Sequence, residues 1–183
     1  MAGHRSFSSD GFEAGWVAVD GEHGEQLELK WDNEAWTAAV HAERERVDYV
    51  IRLSPLWQVR QFILFRDLEQ PDLWLGTDGH GRWGELNGAH RPELDGAADV
   101  SISRSPFVHA IPIRRLPLDV GDQVELMVLS IDPETLGVER LPRVYTRIGE
   151  RRWRVEDPGS AIEFDVDEYG VPNDIADEFR RVA

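Results

Sequence analysis

The chain of 183 residues contains no cysteine. That absence removes disulfide frameworks, thiolate zinc sites, iron–sulfur clusters and thiol nucleophiles together. Lysine is nearly missing too: Lys30 stands alone against 19 arginines. No apolar run approaches the roughly 20 residues that a membrane helix needs, so no membrane-spanning segment is expected. The stretch from Met1 to Asp10 is polar and lacks the apolar core of about 7–15 residues that marks a secretory signal. A cytoplasmic location is the expectation.

Positive charge is scarce as well. Net charge is −15, with 35 acidic residues against 20 basic ones. Such a field repels polyanions. The dense basic clusters, Arg114–Arg115, Arg151–Arg152 with Arg154, and Arg180–Arg181, are each short. No nucleic-acid partner is expected. Abundant acid and arginine with one lysine fits a solvated surface, a salt-adapted host or a GC-rich coding bias alike.

The signatures of chemistry are equally thin. None of the six histidines pairs at metal-binding helix spacing, and no H-E-x-x-H occurs. Asp165-Val166-Asp167-Glu168-Tyr169-Gly170 opens like a calcium loop, but Tyr169 and Ala176 stand where oxygen ligands belong. No G-x-S-x-G elbow is present. Ser101, Ser103 and Ser105 lie near Asp99 and His109 in the chain, and nearness in sequence does not make a triad. Gly79-His80-Gly81 precedes no helical pattern, so it is no phosphate loop. Neither catalytic residues, nor a metal, nor a cofactor is predicted.

What the chain does have is two-residue alternation. Leu27, Leu29 and Trp31 alternate with Gln26, Glu28 and Lys30, and Val47, Tyr49, Ile51 and Leu53 repeat the pattern. Gln58 to Phe65 reads as a strand with Phe62 and Leu64 opposed to Val59, Ile63 and Phe65. Further strands are expected over Val124–Ile131, Val144–Ile148, Trp153–Val155 and Ile162–Val166. The pairs Asp10-Gly11, Asp20-Gly21, Asp78-Gly79, Asn87-Gly88 and Asp95-Gly96 supply tight turns. An all-β, mainly antiparallel fold follows: a barrel, roll or sandwich in one domain over residues 1–183. One short C-terminal helix is predicted, capped by Asn173 and carrying Ile175, Ala176, Phe179 and Val182 on one face. Glu93 to Leu118, with Pro106, Pro112 and Pro117, reads as an extended connection. Seven tryptophans are the other surplus, suited to a ligand wall or to an ordinary core.

The segment Leu94 to Leu116 reads LDGAADVSISRSPFVHAIPIRRL. It resembles the signature of a family labelled "putative glycolipid-binding", approximately L-D-G-C-x-D-x-D-L-x-x-T-P-F-T-N-T-L-P-I-R-R-L. Leu94, Asp95, Gly96, Asp99, Pro106, Phe107, Pro112, Ile113, Arg114, Arg115 and Leu116 match it. Similarity extends over roughly residues 15–182. Ala97 stands for the family's cysteine, Ser101 for its second aspartate and Val108-His109 for Thr-Asn. Arg143 replaces a glutamine, and Ile175-Ala176 replace a Tyr-Pro pair.

The resemblance implies a β-roll of two half-barrel-like sheets, likened to carriers that move bacterial lipoproteins between membranes. It implies a non-catalytic protein whose concave face holds a glycolipid or fatty-acyl ligand. Candidates for the wall are Trp57, Phe62, Trp74, Trp83 and Phe107; candidates for the rim are Arg60, Asp95, Asp99, His109, Arg114 and Arg115. For Phe107 itself, packing is favoured over binding. Two alternatives stay open: an enzyme using carboxylates or His109 in the same cavity, and a protein-interaction module.

Overall fold

The computed structural model describes residues 3–67, 70–102 and 104–183. Ser103 lies outside them. Seven antiparallel strands come first: β1 (Phe12–Ala18), β2 (Gly24–Asp32), β3 (Ala35–Ala42), β4 (Val47–Leu53), β5 (Val59–Phe65), β6 (Leu73–Thr77) and β7 (Trp83–Glu85). A short strand β8 (Asp99–Ile102) and a helix α1 (Ala110–Arg115) follow. Six more strands complete the chain: β9 (Gln123–Ile131), β10 (Val138–Arg147), β11 (Arg152–Asp157), β12 (Ser160–Val166), β13 (Pro172–Ile175) and β14 (Phe179–Arg181).

All fourteen belong to one continuous sheet, ordered β7-β6-β5-β4-β3-β2-β1-β14-β13-β12-β11-β10-β9-β8. Every neighbouring pair is antiparallel except β8 with β9. Two meanders therefore meet where β1 pairs with β14, Trp16 opposite Arg181. The Trp16 indole N–H reaches across that seam to the Pro172 carbonyl at 3.0 Å. The interior divides into two apolar clusters. The larger is built on β1–β7 with β8, β9 and the Phe107–Ile111 segment; the smaller gathers Ile113, Tyr145, Trp153, Val155, Phe164, Val166 and Ile175.

Alternation produces these strands as expected. On β4, Val47, Tyr49, Ile51 and Leu53 all turn inward and are buried, while the residues between them are half-exposed. β5 differs from the simple reading. The β4–β5 register shifts between Arg52 and Leu53, which face Gln61 and Val59 respectively. Arg60 is the extra residue of this bulge, so Val59 and Phe62 both turn into the core. The Arg60 guanidinium then reaches the Asp78 carbonyl at 3.0 Å. Gly79, beside it, has φ +83°, and a Cβ there would collide with that guanidinium.

Helix falls in a different place from the one expected. Asn173 starts no helix: Ile175 ends β13, Phe179 begins β14, and the two are paired across a turn in which Asp177 has φ +63°. A spacing of four serves a helix face, and it equally serves a hairpin whose three-residue turn brings positions i and i+4 opposite each other. The helix is instead mid-chain. Pro106 (φ −63°, ψ −38°) leads a 3₁₀ turn, Phe107–His109, that runs into α1. Proline is tolerated in a first helical turn, where its missing N–H has no partner to lose. The proline-rich stretch thus marks a helix start rather than an extended strap. Phe107, Ala110, Ile111 and Ile113 are fully buried, Ile111 in the larger cluster and Ile113 in the smaller. α1 is the wedge between the halves. No helix among the described residues is long and apolar enough to cross a membrane.

Candidate functional site

The side chains expected to wall a cavity divide sharply. Phe62, Trp83 and Phe107 are 0%, 1% and 0% exposed and belong to the core. The Trp83 indole donates to the Ala97 carbonyl at 2.9 Å. Asp95 accepts the Trp83 amide at 2.9 Å and contacts His90 Nε2 at 2.7 Å, bonds that hold its carboxyl below the usual range. Arg60 and Asp95 therefore fasten turns. Trp74 lies on the opposite face of the sheet, in a cross-strand row with Ile63, Val50 and Ala39. His109 turns inward: Nδ1 lies 3.0 Å from the Tyr145 hydroxyl, and its ring packs 5.3 Å from that of Phe164. Burial, aided by the Arg143 charge, pushes its pKa well below the ordinary value, so this imidazole is neutral.

Four of the expected residues converge: Trp57, Asp99, Arg114 and Arg115. Asp99, 1% exposed, receives both terminal nitrogens of Arg115 at 2.6 and 2.5 Å. Burial disfavours the Arg115 cation, but the bonds to Asp99 outweigh it and its pKa is raised. The same guanidinium donates to the Trp57 carbonyl at 3.3 Å, tying β8, the end of α1 and the β4–β5 loop together. Trp57 itself has φ +64°. That left-handed conformation is a strained one for a bulky aromatic residue, and strain of this kind clusters at ligand clamps. Ser54 steadies the loop, its Oγ accepting the Leu56 and Gln58 amides at 3.2 and 3.1 Å.

Over this loop lies an aromatic nest. The Arg114 guanidinium carbon sits 4.5 Å from the Trp57 ring centre and 4.3 Å from that of Phe7. Phe7 also stacks on Tyr169 at 5.1 Å and 7°, and it meets Phe12 and Trp36 at 4.8 and 5.7 Å. Phe7 comes from the segment before β1, whose neighbouring residues are exposed or half-exposed. Arg114 Nη1 donates to the carbonyls of Tyr169 and Arg5. Its Nε is buried and has no acceptor. Burial pulls this arginine down to about 10. Phe7, Trp36 and Tyr169 were not among the expected site residues, and no local motif carries them.

A second polar feature sits at the other end of the larger half. Glu25 is on the inner face of β2, in phase with Leu27 and Leu29, and is 3% exposed. Ser105 Oγ donates to its Oε1 at 2.5 Å. A hydroxyl has one proton, so Tyr49, whose OH contacts that same Oγ, is the donor to Ser105. Burial lifts the Glu25 carboxyl to about 8 and the Tyr49 phenol well above its ordinary value. Above Glu25 opens a cleft of about 640 Å³ lined by Ala18, His23, Arg44, Glu45, Arg104 and Phe179, among others.

Comparison with known proteins decides the lineage. The model of the family described as "Putative glycolipid-binding" matches residues 13–181. The chain belongs to this family. Among solved structures, the chain is similar to a DUF1089 family protein from Pseudomonas aeruginosa. The two are 27% identical and superpose with a TM-score of 0.70, over 97% of this chain and 95% of that one. None of the curated proteins compared matches. Within the glycolipid-binding family pattern, the matched Arg114-Arg115 pair is the part that the structure brings to the aromatic nest.

Proposed function

We propose that this chain is a binding protein for an amphipathic ligand of the lipid or glycolipid class. The ligand's head lies over Arg114, and its apolar portion lies against Trp57, Trp36 and Tyr169 in the space that Phe7 now fills. One observation carries the reading: a guanidinium set against two adjoining aromatic rings, Phe7 and Trp57, retains a buried N–H without an acceptor. Aromatic faces with a few placed donors are the ordinary lining of a small-molecule site. The deep concave face of the larger half is filled by Phe62, Trp83 and Phe107, so this reading places the ligand at the end of the roll rather than along its trough. The family's name, and the left-handed backbone at Trp57, support it.

Calorimetric titration with octyl β-glucoside below its micelle concentration tests the reading. Wild-type chain binds; Phe7→Ala, which vacates the space, binds several-fold more tightly; Trp57→Ala loses binding and Trp57→Phe retains part of it. Absence of heat from both octyl β-glucoside and octyl phosphate, with wild type and with Phe7→Ala, would sink it.

A further inference from the structure

Resting on that reading, we infer that the aromatic nest selects an anionic head group, a phosphate or carboxylate, over a neutral one, and that Arg114 is the residue that makes the choice. The charge arrangement around it is the reason. Among the described residues, most of the other partly buried arginines face a carboxylate, and Arg60 instead donates from Nη1 and Nη2 to the Asp78 carbonyl and the Gln58 amide oxygen at 3.0 and 3.3 Å. Arg115 has Asp99, Arg143 has Asp157 at 2.6 Å, and Arg181 has Asp167 at 3.3 Å. Arg147 pairs with no carboxylate, yet all three of its nitrogens donate, at 2.5–3.2 Å, to the carbonyls of Leu118 and Glu150. Arg114 has neither solution. Its bonds run from Nη1 alone, to two neutral carbonyls, and Nε is left bare.

Asp167 does not make up the difference. The field of Asp167 reaches Arg114, but its Oδ1 accepts the Tyr169 and Val171 amides at 2.9 Å and its Oδ2 faces Arg181. Within a chain carrying −15 overall, this is a desolvated cation without its own counter-ion. Such a charge is costly unless paired. A guanidinium offers a planar fork that matches two oxygens of a phosphate or carboxylate. A neutral hydroxyl answers one donor and leaves the charge unpaired. Arg5, whose guanidinium lies 5.4 Å from the Tyr169 ring centre, is already paired with Glu168 at 2.9 Å and adds no free charge there. Among the described residues, the other buried side-chain nitrogen without a partner, Trp153 Nε1, is neutral and sits in the smaller core, where it makes no comparable demand.

The test compares octyl phosphate, octyl β-glucoside and inorganic phosphate by calorimetry on the full chain, all below micelle formation. The expected result is octyl phosphate binding at least about tenfold more tightly than the glucoside, the scale of one charge-assisted pair. In Arg114→Gln that preference disappears, and in Arg114→Lys it survives in part. Should Arg114→Gln fail to fold, salt takes its place: raising sodium chloride weakens octyl phosphate binding to wild type and spares the glucoside. Glucoside binding as tightly as octyl phosphate overturns the anion selection and leaves the amphiphile site standing. Inorganic phosphate binding as tightly as octyl phosphate supports the anion selection and overturns the amphiphile reading. No binding of any of the three, to wild type or to Phe7→Ala, overturns both.

Discussion

Arg143 donates to Ser101 Oγ at 3.1 Å across the interior, and both residues stand where the family pattern has something else. The pattern's aspartate and glutamine have become serine and arginine at touching positions. Position 101 has lost a negative charge and position 143 has gained a positive one, which Asp157 takes up with a forked pair at 2.6 and 2.9 Å. His109, a third departure, belongs to the same buried region through Tyr145 and the Arg143 charge. These three substitutions therefore read as one compensated repacking of the interior rather than a change in ligand contacts.

If so, reverting one member alone is costly and reverting two is less so. Arg143→Gln strands Asp157, whose side chain is 29% exposed, and should cost about 2–4 kcal/mol, somewhat under the range for breaking a fully buried pair. Ser101→Asp added to Arg143→Gln should restore part of that loss, because the pair then regains the family's chemistry. Urea unfolding of the two single variants and the double variant gives the coupling directly. Strictly additive effects would show that the two sites are independent.

What could be read in advance was what is local. Alternation on β4 and the Asp-Gly and Asn-Gly turns depend on neighbours in the chain, and both appear where expected. The turn at Asn33–Glu34 shows the limit: its two residues have φ +47° and +58° without any glycine to announce it. The Arg60 bulge is also silent in sequence, because one extra residue changes which face Val59 occupies while the composition stays the same. The nest is the least legible part. Phe7, Trp36, Trp57, Arg114 and Tyr169 come from five separate segments, and only the folded sheet makes them neighbours. Glu25, by contrast, carries a readable signal: a carboxylate in phase with Leu27 and Leu29 on an inward face.

Phe107 distinguishes wedge from wall. It is 0% exposed, it opens the turn that leads into α1, and it packs in the larger cluster. Truncation to alanine should lower stability by about 3–5 kcal/mol and leave any amphiphile affinity of the surviving folded fraction within about twofold. Chemical denaturation and calorimetric titration on the same preparation check both halves of that statement. A stable Phe107→Ala chain with abolished binding would return this ring to the ligand site.

Glu25 gives the molecule a pH dependence of unusual sign for a carboxylate. In the folded chain it keeps its proton up to about pH 8, whereas its ordinary value is 4.5. Between those limits the unfolded chain has already lost the proton that the folded chain retains. The folded state then binds more protons than the unfolded one, so stability falls as pH rises through this window and levels off above it. The size of the effect, at about 1.4 kcal/mol per unit, is on the order of 5 kcal/mol. Glu25→Gln has nearly the same shape and still offers a carbonyl to Ser105, but it does not titrate. Near pH 4 the variant and the wild type should unfold at similar denaturant concentrations. By pH 8 to 9 the variant should be the more stable of the two by several kcal/mol. Because every other group titrates alike in both chains, the difference between their stability curves isolates this one carboxyl. Parallel curves from pH 4 to 9 would mean that Glu25 ionises normally in the folded chain, and that water reaches it from the cleft above.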